Sequence, residues 1–231
     1  MLIDLNCDLG EGAGTDAELL PLITSANVSC GVHAGDDADI AATLDQAARL
    51  GVAVGAHPSH RDREHFGRRE LYIPARDILE ETHNQILSLK AQAERFGVKV
   101  RYVKPHGALY NQACRDDAVA DAVIAACSLS GLPVVGLPGS RLAERATGRV
   151  PFVPEGFADR GYRPDGSLIP RDQPGAFVSD PAAAAAQVRR LIAEHGVRTV
   201  CVHGDNPEAA AFVKAVRDEL LRAGAELRPF A

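Results

Sequence analysis

Tryptophan is absent from this sequence, and aromatic residues make up only 5% of it. Sugars and single-stranded nucleic acids bind largely by stacking, and such a chain has few platforms to offer them. Long basic runs are also missing. The formal net charge of −6 repels a phosphate backbone, so nucleic acid is a poor partner. No apolar stretch approaches the length of a membrane span, which argues against a membrane protein. The first residues, MLIDLNCDLGEG, lack the basic segment and long apolar stretch of a signal peptide. Cysteines stand at 7, 30, 114, 127 and 201, but none forms a CxxC pair, so a structural zinc site is not expected. An odd number of cysteines without a disulfide framework suits a reducing, cytoplasmic setting. No GxGxxG follows the first strand pattern and no GxxxxGK(S/T) occurs, so the dinucleotide and P-loop fingerprints are both lacking.

What the chain does have is alternation. Hydrophobic residues make up 46% of its 231 positions, enough for a sizeable core, and the length fits one domain spanning residues 1–231. Strand patterns occur at residues 2–7, 25–30, 52–56, 100–103, 133–137, 151–153 and 198–202, with a short one near 226–228. Helical patterns such as 37–50, 74–96, 116–129 and 181–194 lie between them. Gly51, Gly97, Gly131, Gly196 and Gly224 follow periodic stretches, as helix stops do. Repeated strand–helix units imply a parallel sheet, because parallel neighbours need a crossover. About seven of them predict an α/β fold closed into a (β/α) barrel, with an open doubly wound sheet as the alternative.

The first strand carries the clearest chemical signal. Ile3, Leu5, Cys7 and Leu9 share one parity, while Asp4, Asn6 and Asp8 share the other. Alternate side chains point to opposite faces, so one face packs under helices and the other presents two carboxylates and an amide to the interior. Buried carboxylates need cations, a metal or hydrogen-bond donors. Candidates stand at the ends of other strand patterns: Ser29 and His33, His57, Lys104 and His106, Glu155, and His203 with Asp205. Barrel enzymes build their sites there. Each has a plainer reading as well. Asp4 can satisfy loop amides, Lys104 can reach solvent, and a lone histidine can be a packed residue. Cys7, Cys30 and Cys201 read as small core residues, and His60, His65, His83 and His195 as surface or helix residues without chemistry.

Two loops add arginines. In residues 59–71, Arg68 and Arg69 can clamp a carboxylate or phosphate, or form an exposed turn paired with Glu64 and Glu70. Residues 160–177 are rich in Gly and Pro and carry Arg160, Arg163 and Arg171, which fits a lid, a docking loop or an ordinary excursion.

Six ordered blocks carry a resemblance: DLNCDLGEG, ANVSCGVHAGDD, GAHPSHRDREHFGRRE, VKPHGALYN, EGFADRGYRPDGSLIPR and CVHGDNPEA. They resemble the LamB/YcsF family, the A subunits of bacterial ATP-dependent 5-oxoprolinases, from residue 3 to about residue 212. The sequence departs from the family pattern at His60, Arg61 and His65, which affects details of the third block. The resemblance implies a glycoside hydrolase/deacetylase-like barrel. It also implies conversion of 5-oxo-L-proline to L-glutamate with ATP hydrolysis, alongside B and C subunits. The matched positions include Asp4, Asn6, Asp8, Glu11, His33, Asp36, His57, Arg68, Arg69, Lys104, His106, Glu155, Asp159, Arg160, His203 and Asp205.

Within that reaction, Asp8, Glu11, Lys104, His106, Glu155, His203 and Asp205 are the expected catalytic groups. Asp4, Asn6, Arg68, Arg69 and Arg160 are the expected substrate-binding ones. Lys104, Arg68 and a Mg2+ ion are expected to supply positive charge. The rival readings are a metal-dependent amide or ester hydrolase with Asp8, His33 and His57 as ligands, and a non-catalytic subunit that only binds 5-oxoproline.

Overall fold

The computed structural model describes residues 2–203 and 209–231. Its strands are β1 (Leu2–Leu9), β2 (Ser25–Ser29), β3 (Ala53–His57), β4 (Val100–Val103), β5 (Val134–Gly136), β6 (Phe152–Phe157), β7 (Thr199–Cys201) and β8 (Glu226–Leu227). The helices are α1 (Asp16–Leu19), α2 (Asp37–Leu50), α3 (Ala75–Glu94), α4 (Gly107–Ala113), α5 (Asp117–Ser130), α6 (Arg141–Ala146), α7 (Pro181–His195) and α8 (Ala209–Arg222). Strands β1 to β7 pair in sequence order, and β1 pairs with both β2 and β7, so the parallel sheet closes on itself. The architecture is therefore a closed barrel of seven parallel strands surrounded by helices, as the alternation predicts. The short β8 lies beside the start of β1, where Leu2 and Ile3 pair with Glu226 and Leu227.

The predicted boundaries hold closely where local signals are strong. Helix α2 begins with a capping box between Asp36 and Asp39 and ends at Gly51 in the left-handed region, φ 69°. Strand β6 is the main departure. The strand pattern stops at residue 153, yet the strand runs on through Pro154, Glu155 and Gly156 to Phe157. Pro154 lies opposite Gly136, the last residue of β5, so its missing N–H falls where that ladder ends. Glu155 is consequently a barrel-interior residue rather than one that follows a strand.

The two faces of the sheet differ in chemistry. Outward residues such as Ile3, Leu5, Leu9, Val28, Val54, Val103 and Val200 join one apolar cluster with helix residues including Ile40, Leu44, Ile86 and Leu89. The inner face is apolar at its lower end, where Tyr102, Val135 and Val153 pack with Phe230 from the C-terminal tail, and again higher on one wall, where Leu137, Phe157 and Cys201 pack with Tyr110. The Tyr102 and Phe230 rings lie 4.9 Å apart. Above that plug, the interior is a hydrogen-bonded polar network. Tyr102 crosses it, and its hydroxyl donates to Asn27 Oδ1 at 2.8 Å.

Gly55 on β3 makes room for that crossing. A Cβ there would lie 2.1 Å from the Tyr102 ring. Overpacking of this kind typically costs about 1–3 kcal/mol. Gly55→Ala is therefore expected to lower unfolding stability by that amount, read from denaturant midpoints. Unchanged stability would mean that Tyr102 can retreat from the barrel interior.

Candidate active site

The polar residues of β1 point inward, as their parity predicts, but they occupy different depths. Asp4 is not at the mouth. It lies low in the interior, 1% exposed, and accepts hydrogen bonds from Ser25 Oγ and Thr24 Oγ1, each at 2.6 Å, and from the Thr199 hydroxyl. This corrects the expectation that Asp4 helps to bind substrate at the strand ends, because its oxygens are taken by hydroxyls beneath them. Burial is the largest influence on its carboxyl and pushes the pKa up to about 6 against those hydrogen bonds. Asn6 is one layer higher. Its amide donates to Thr199 Oγ1 at 2.6 Å and to Glu155 Oε1 at 3.3 Å, and its oxygen accepts from Asn27 at 2.6 Å. It too is spent within the network.

The next layer is an ion cluster. Lys104 follows β4 and is 2% exposed, so it does not reach solvent. Its Nζ lies 3.0 Å from Asp8 Oδ1 and 2.8 Å from Glu155 Oε1. Burial opposes ionisation of Asp8, but the charges of His57 and Lys104 outweigh it and hold the carboxyl well below the usual range. Burial likewise opposes the Lys104 charge, and Asp8 reverses the outcome, so the ammonium persists well above its ordinary range. Glu155 Oε2 and the Tyr110 hydroxyl are both buried at this level.

Three histidines crown this cluster. His57 ends β3, and its Nδ1 lies 2.7 Å from the Lys104 carbonyl oxygen. His106 caps α4, and its Nε2 lies 2.9 Å from the Phe66 carbonyl oxygen. The other nitrogens, His57 Nε2 and His106 Nδ1, face each other at 2.9 Å. His33 stacks on His106 with ring centroids 3.9 Å apart, and its Nε2 lies 3.0 Å from Glu11 Oε1. Burial, helped by neighbouring histidine charges, keeps His106 well below its ordinary pKa, and burial lowers His33 despite Glu11. Burial also opposes a charge on His57, but Asp8 raises it overall.

The loops bring these groups together through close backbone contacts. A Cβ on Gly35 would lie 1.9 Å from the Gly10 carbonyl oxygen, so only glycine lets the His33 loop lie against the Glu11 loop. Phe66, with φ 57°, is the one described non-glycine residue in the left-handed region. Its carbonyl receives His106, so the strained residue directly orients a histidine of the site.

Donor atoms suited to a metal converge in three overlapping sets among the described residues: Asp8 with His57 and His106, Glu11 with His33 and His106, and Asp8 with Cys201 and His203. The expected trio of Asp8, His33 and His57 is not one of them. His33 turns to Glu11, and His106 takes its place beside His57. On the β7 side of Asp8, His203 Nδ1 lies 2.9 Å from Asp159 Oδ2, its backbone N–H donates to the same oxygen at 3.0 Å, and its ring stacks on Phe157. The His203 charge outweighs the burial of Asp159 and lowers that carboxyl. Asp205 lies outside the described residues.

The arginines behave differently from the expectation. Arg160 is 6% exposed and its donors reach Ala176 O at 3.1 Å and Ile169 O at 2.6 Å. It braces its own loop rather than presenting a fork to a substrate. Arg69 is exposed and pairs with Asp62 at 3.3 Å, not with Glu64 or Glu70. Arg68 is exposed, with its guanidinium carbon 4.7 Å from the centre of the Phe66 ring. His60, expected at the surface, is buried and bonded to Gln112 Oε1 at 2.6 Å. Asn27 belongs to the network although the sequence patterns above leave it out. Its signal is the inward parity of β2 that it shares with Ser25 and Ser29, and it donates to Asp8 at 2.8 Å. Burial pushes the Cys7 and Cys201 thiols well up and Cys30 to about 12, consistent with core roles.

A closed barrel of seven parallel strands is a deacetylase-like fold. A family 4 carbohydrate esterase from Streptomyces lividans, crystallised with acetate, shares the fold at 13% identity and TM-score 0.59, covering 100% of this chain and 93% of that one. The family profile of LamB/YcsF matches residues 3–231, and the chain belongs to the LamB/YcsF family. It is 46% identical to the 5-oxoprolinase A subunit of Streptomyces griseus over 250 aligned positions, covering 100% of both proteins. The crystal structure of a lactam utilization protein from Thermus thermophilus superposes with TM-score 0.91 at 39% identity, again over 100% of both chains. No described helix is long and apolar enough to cross a membrane.

Two stability measurements test the buried network. Lys104→Ala leaves Asp8 and Glu155 buried without their cation and is expected to cost about 3–5 kcal/mol. A loss below about 1 kcal/mol by chemical denaturation would refute the buried pairing. For Asp4, the folded pKa lies above the unfolded value, so the folded state holds the extra proton between them. Stability from this group is therefore lost as pH rises from about 4 to about 6. The loss amounts to roughly 3 kcal/mol. Asp4→Asn is expected to flatten that part of the pH–stability curve, and an unchanged slope would show that Asp4 is not its source.

Proposed function

We propose that this chain acts in the hydrolysis of 5-oxo-L-proline to L-glutamate, coupled to ATP hydrolysis, as one component of a cytoplasmic complex with B and C subunits. The observation that carries the reading is its full-length similarity to the 5-oxoprolinase A subunit of Streptomyces griseus. The acid–base groups at the barrel mouth give the reading its chemistry.

A lactam is a resonance-stabilised amide, and opening it requires activated water, a donor for the departing nitrogen and stabilisation of charge on the carbonyl oxygen. His203 suits the proton transfers. Asp159 holds its Nδ1, which fixes the proton there and leaves Nε2 as the basic nitrogen. Its side chain is 12% exposed, whereas that of Lys104 is only 2% exposed. Lys104 acts by holding Asp8 and Glu155 in place, and is not available to neutralise a phosphate. Asp8, Glu11 and Asp159 stand at this end of the barrel, and their charges oppose a triphosphate. In this reading ATP is held by one of the partner proteins, and this chain binds the lactam and moves protons. A second reading, ATP-independent hydrolysis of an amide or ester, is favoured by one observation: the convergence of Asp8, His57 and His106.

Reconstitution with the B and C subunits tests both. Glutamate and ADP are expected to form together from 5-oxoproline, with no turnover by this chain alone. His203→Ala is expected to reduce turnover by about 10²–10⁴-fold with an unchanged melting midpoint. ATP-independent turnover by the isolated chain would replace the first reading with the second. Near-normal turnover of His203→Ala would remove His203 from the chemistry.

A further inference from the structure

A carbonyl oxygen only accepts hydrogen bonds. The Lys104 carbonyl therefore fixes a proton on His57 Nδ1, 2.7 Å away, and the Phe66 carbonyl fixes one on His106 Nε2, 2.9 Å away. In neutral rings the remaining nitrogens, His57 Nε2 and His106 Nδ1, then carry lone pairs, and these face each other at 2.9 Å. Carboxylates add to the same spot. Asp8 Oδ2 is 3.3 Å from His57 Nε2, and Glu11 Oε1 is 3.4 Å from His106 Nδ1 and 3.9 Å from His57 Nε2. The two lone pairs thus face each other with a carboxylate beside each ring, and only a positively charged species between them makes that arrangement favourable.

We propose that His57, His106 and Asp8 bind one divalent transition-metal ion of the zinc class, with Glu11 beside His106 as the carboxylate that can join them. Neighbouring ligands at about 2.1 Å from such an ion lie roughly 3.0–3.4 Å apart. His57 and His106 are 2.9 Å apart, Asp8 is 3.3 Å from His57, and Glu11 is 3.4 Å from His106 and 3.9 Å from His57. The outer contacts agree. A metal-bound histidine usually donates its other N–H to a carbonyl or carboxylate, and both rings do so. Asp8 is oriented by Lys104 and Asn27 through Oδ1, which leaves Oδ2 for the ion. His33 holds Glu11 in position at 3.0 Å. Two imidazole nitrogens disfavour Mg2+, which takes oxygen donors, so the expected magnesium does not suit this donor set. A bound ion of this kind supplies Lewis acidity toward a carbonyl oxygen or water.

The competing arrangement is a single proton shared between the two rings. The full-length chain, stripped with chelator and dialysed against zinc, manganese(II) or magnesium, separates the two. Elemental analysis is expected to find one zinc per chain, retained against excess Mg2+. X-ray absorption at the zinc edge is expected to show two imidazoles with oxygen neighbours. His57→Gln and His106→Gln, each checked for folding by circular dichroism, are expected to weaken zinc binding by more than about 100-fold. Asp159→Asn is expected to leave it unchanged, which separates this site from the Asp8, Cys201 and His203 set. Failure of the folded wild-type chain to take up zinc, an absorption spectrum without two imidazoles, or zinc retained in both histidine variants overturns the proposal. Because the readout is binding, its failure leaves the lactam reading untouched.

Discussion

The ammonium of Lys104 lies between Asp8 and Glu155 in a part of the barrel closed to solvent, and the other interior polar groups are arranged around that pairing. A barrel of this size is normally filled by branched apolar side chains. Here apolar filling is confined to the lower end, with Tyr102, Val135, Val153 and Phe230, and to one wall, with Tyr110, Leu137, Phe157 and Cys201. Above it, every inward position of β1 and β2 is polar, and the groups satisfy one another across strands. Asp4 is held by hydroxyls, Asn6 bridges Thr199 and Asn27, and Asn27 bridges Asn6 and Asp8. Such a network is stable only when nearly complete, because each unpaired member carries its full desolvation cost.

That constraint also orients the chemistry at the mouth. Asp8 offers Oδ1 to Lys104 and Asn27, which turns Oδ2 toward His57. The Lys104 backbone carbonyl, one residue past β4, fixes the His57 ring. One lysine therefore serves twice, through its side chain and its main chain. The His203–Asp159 pair stands on the β7 side of Asp8 and is nearer to solvent than Lys104.

Much of this was legible in the sequence. The alternation of Asp4, Asn6 and Asp8 with Leu5, Cys7 and Leu9 identified an inward polar face, because strand periodicity is a local property. Strand-end positions for His57, Lys104, His106 and His203 followed from the same reading. What escaped it depended on distant contacts. The strand pattern stopped at residue 153, just before Pro154, because proline and glycine weaken the local strand signal, but pairing on both sides keeps β6 extended to Phe157. His60 looked exposed because it lies in a charged loop, yet Gln112 from α4 draws it inward. Arg160 looked like a substrate clamp, but the loop folds back and uses its donors.

The sequence by itself determined the strand–helix alternation, the inward parity of the polar residues and the family, since each is carried by residue type and spacing along the chain. Tertiary structure alone decided depth and partnership. It placed Asp4 below the site and Asp8 within it, although both share a strand face, because register and shear set their heights in the barrel. It also paired His106 with His57, and His33 with Glu11, because those contacts arise where separate loops meet over the closed end of a network that no local pattern encodes.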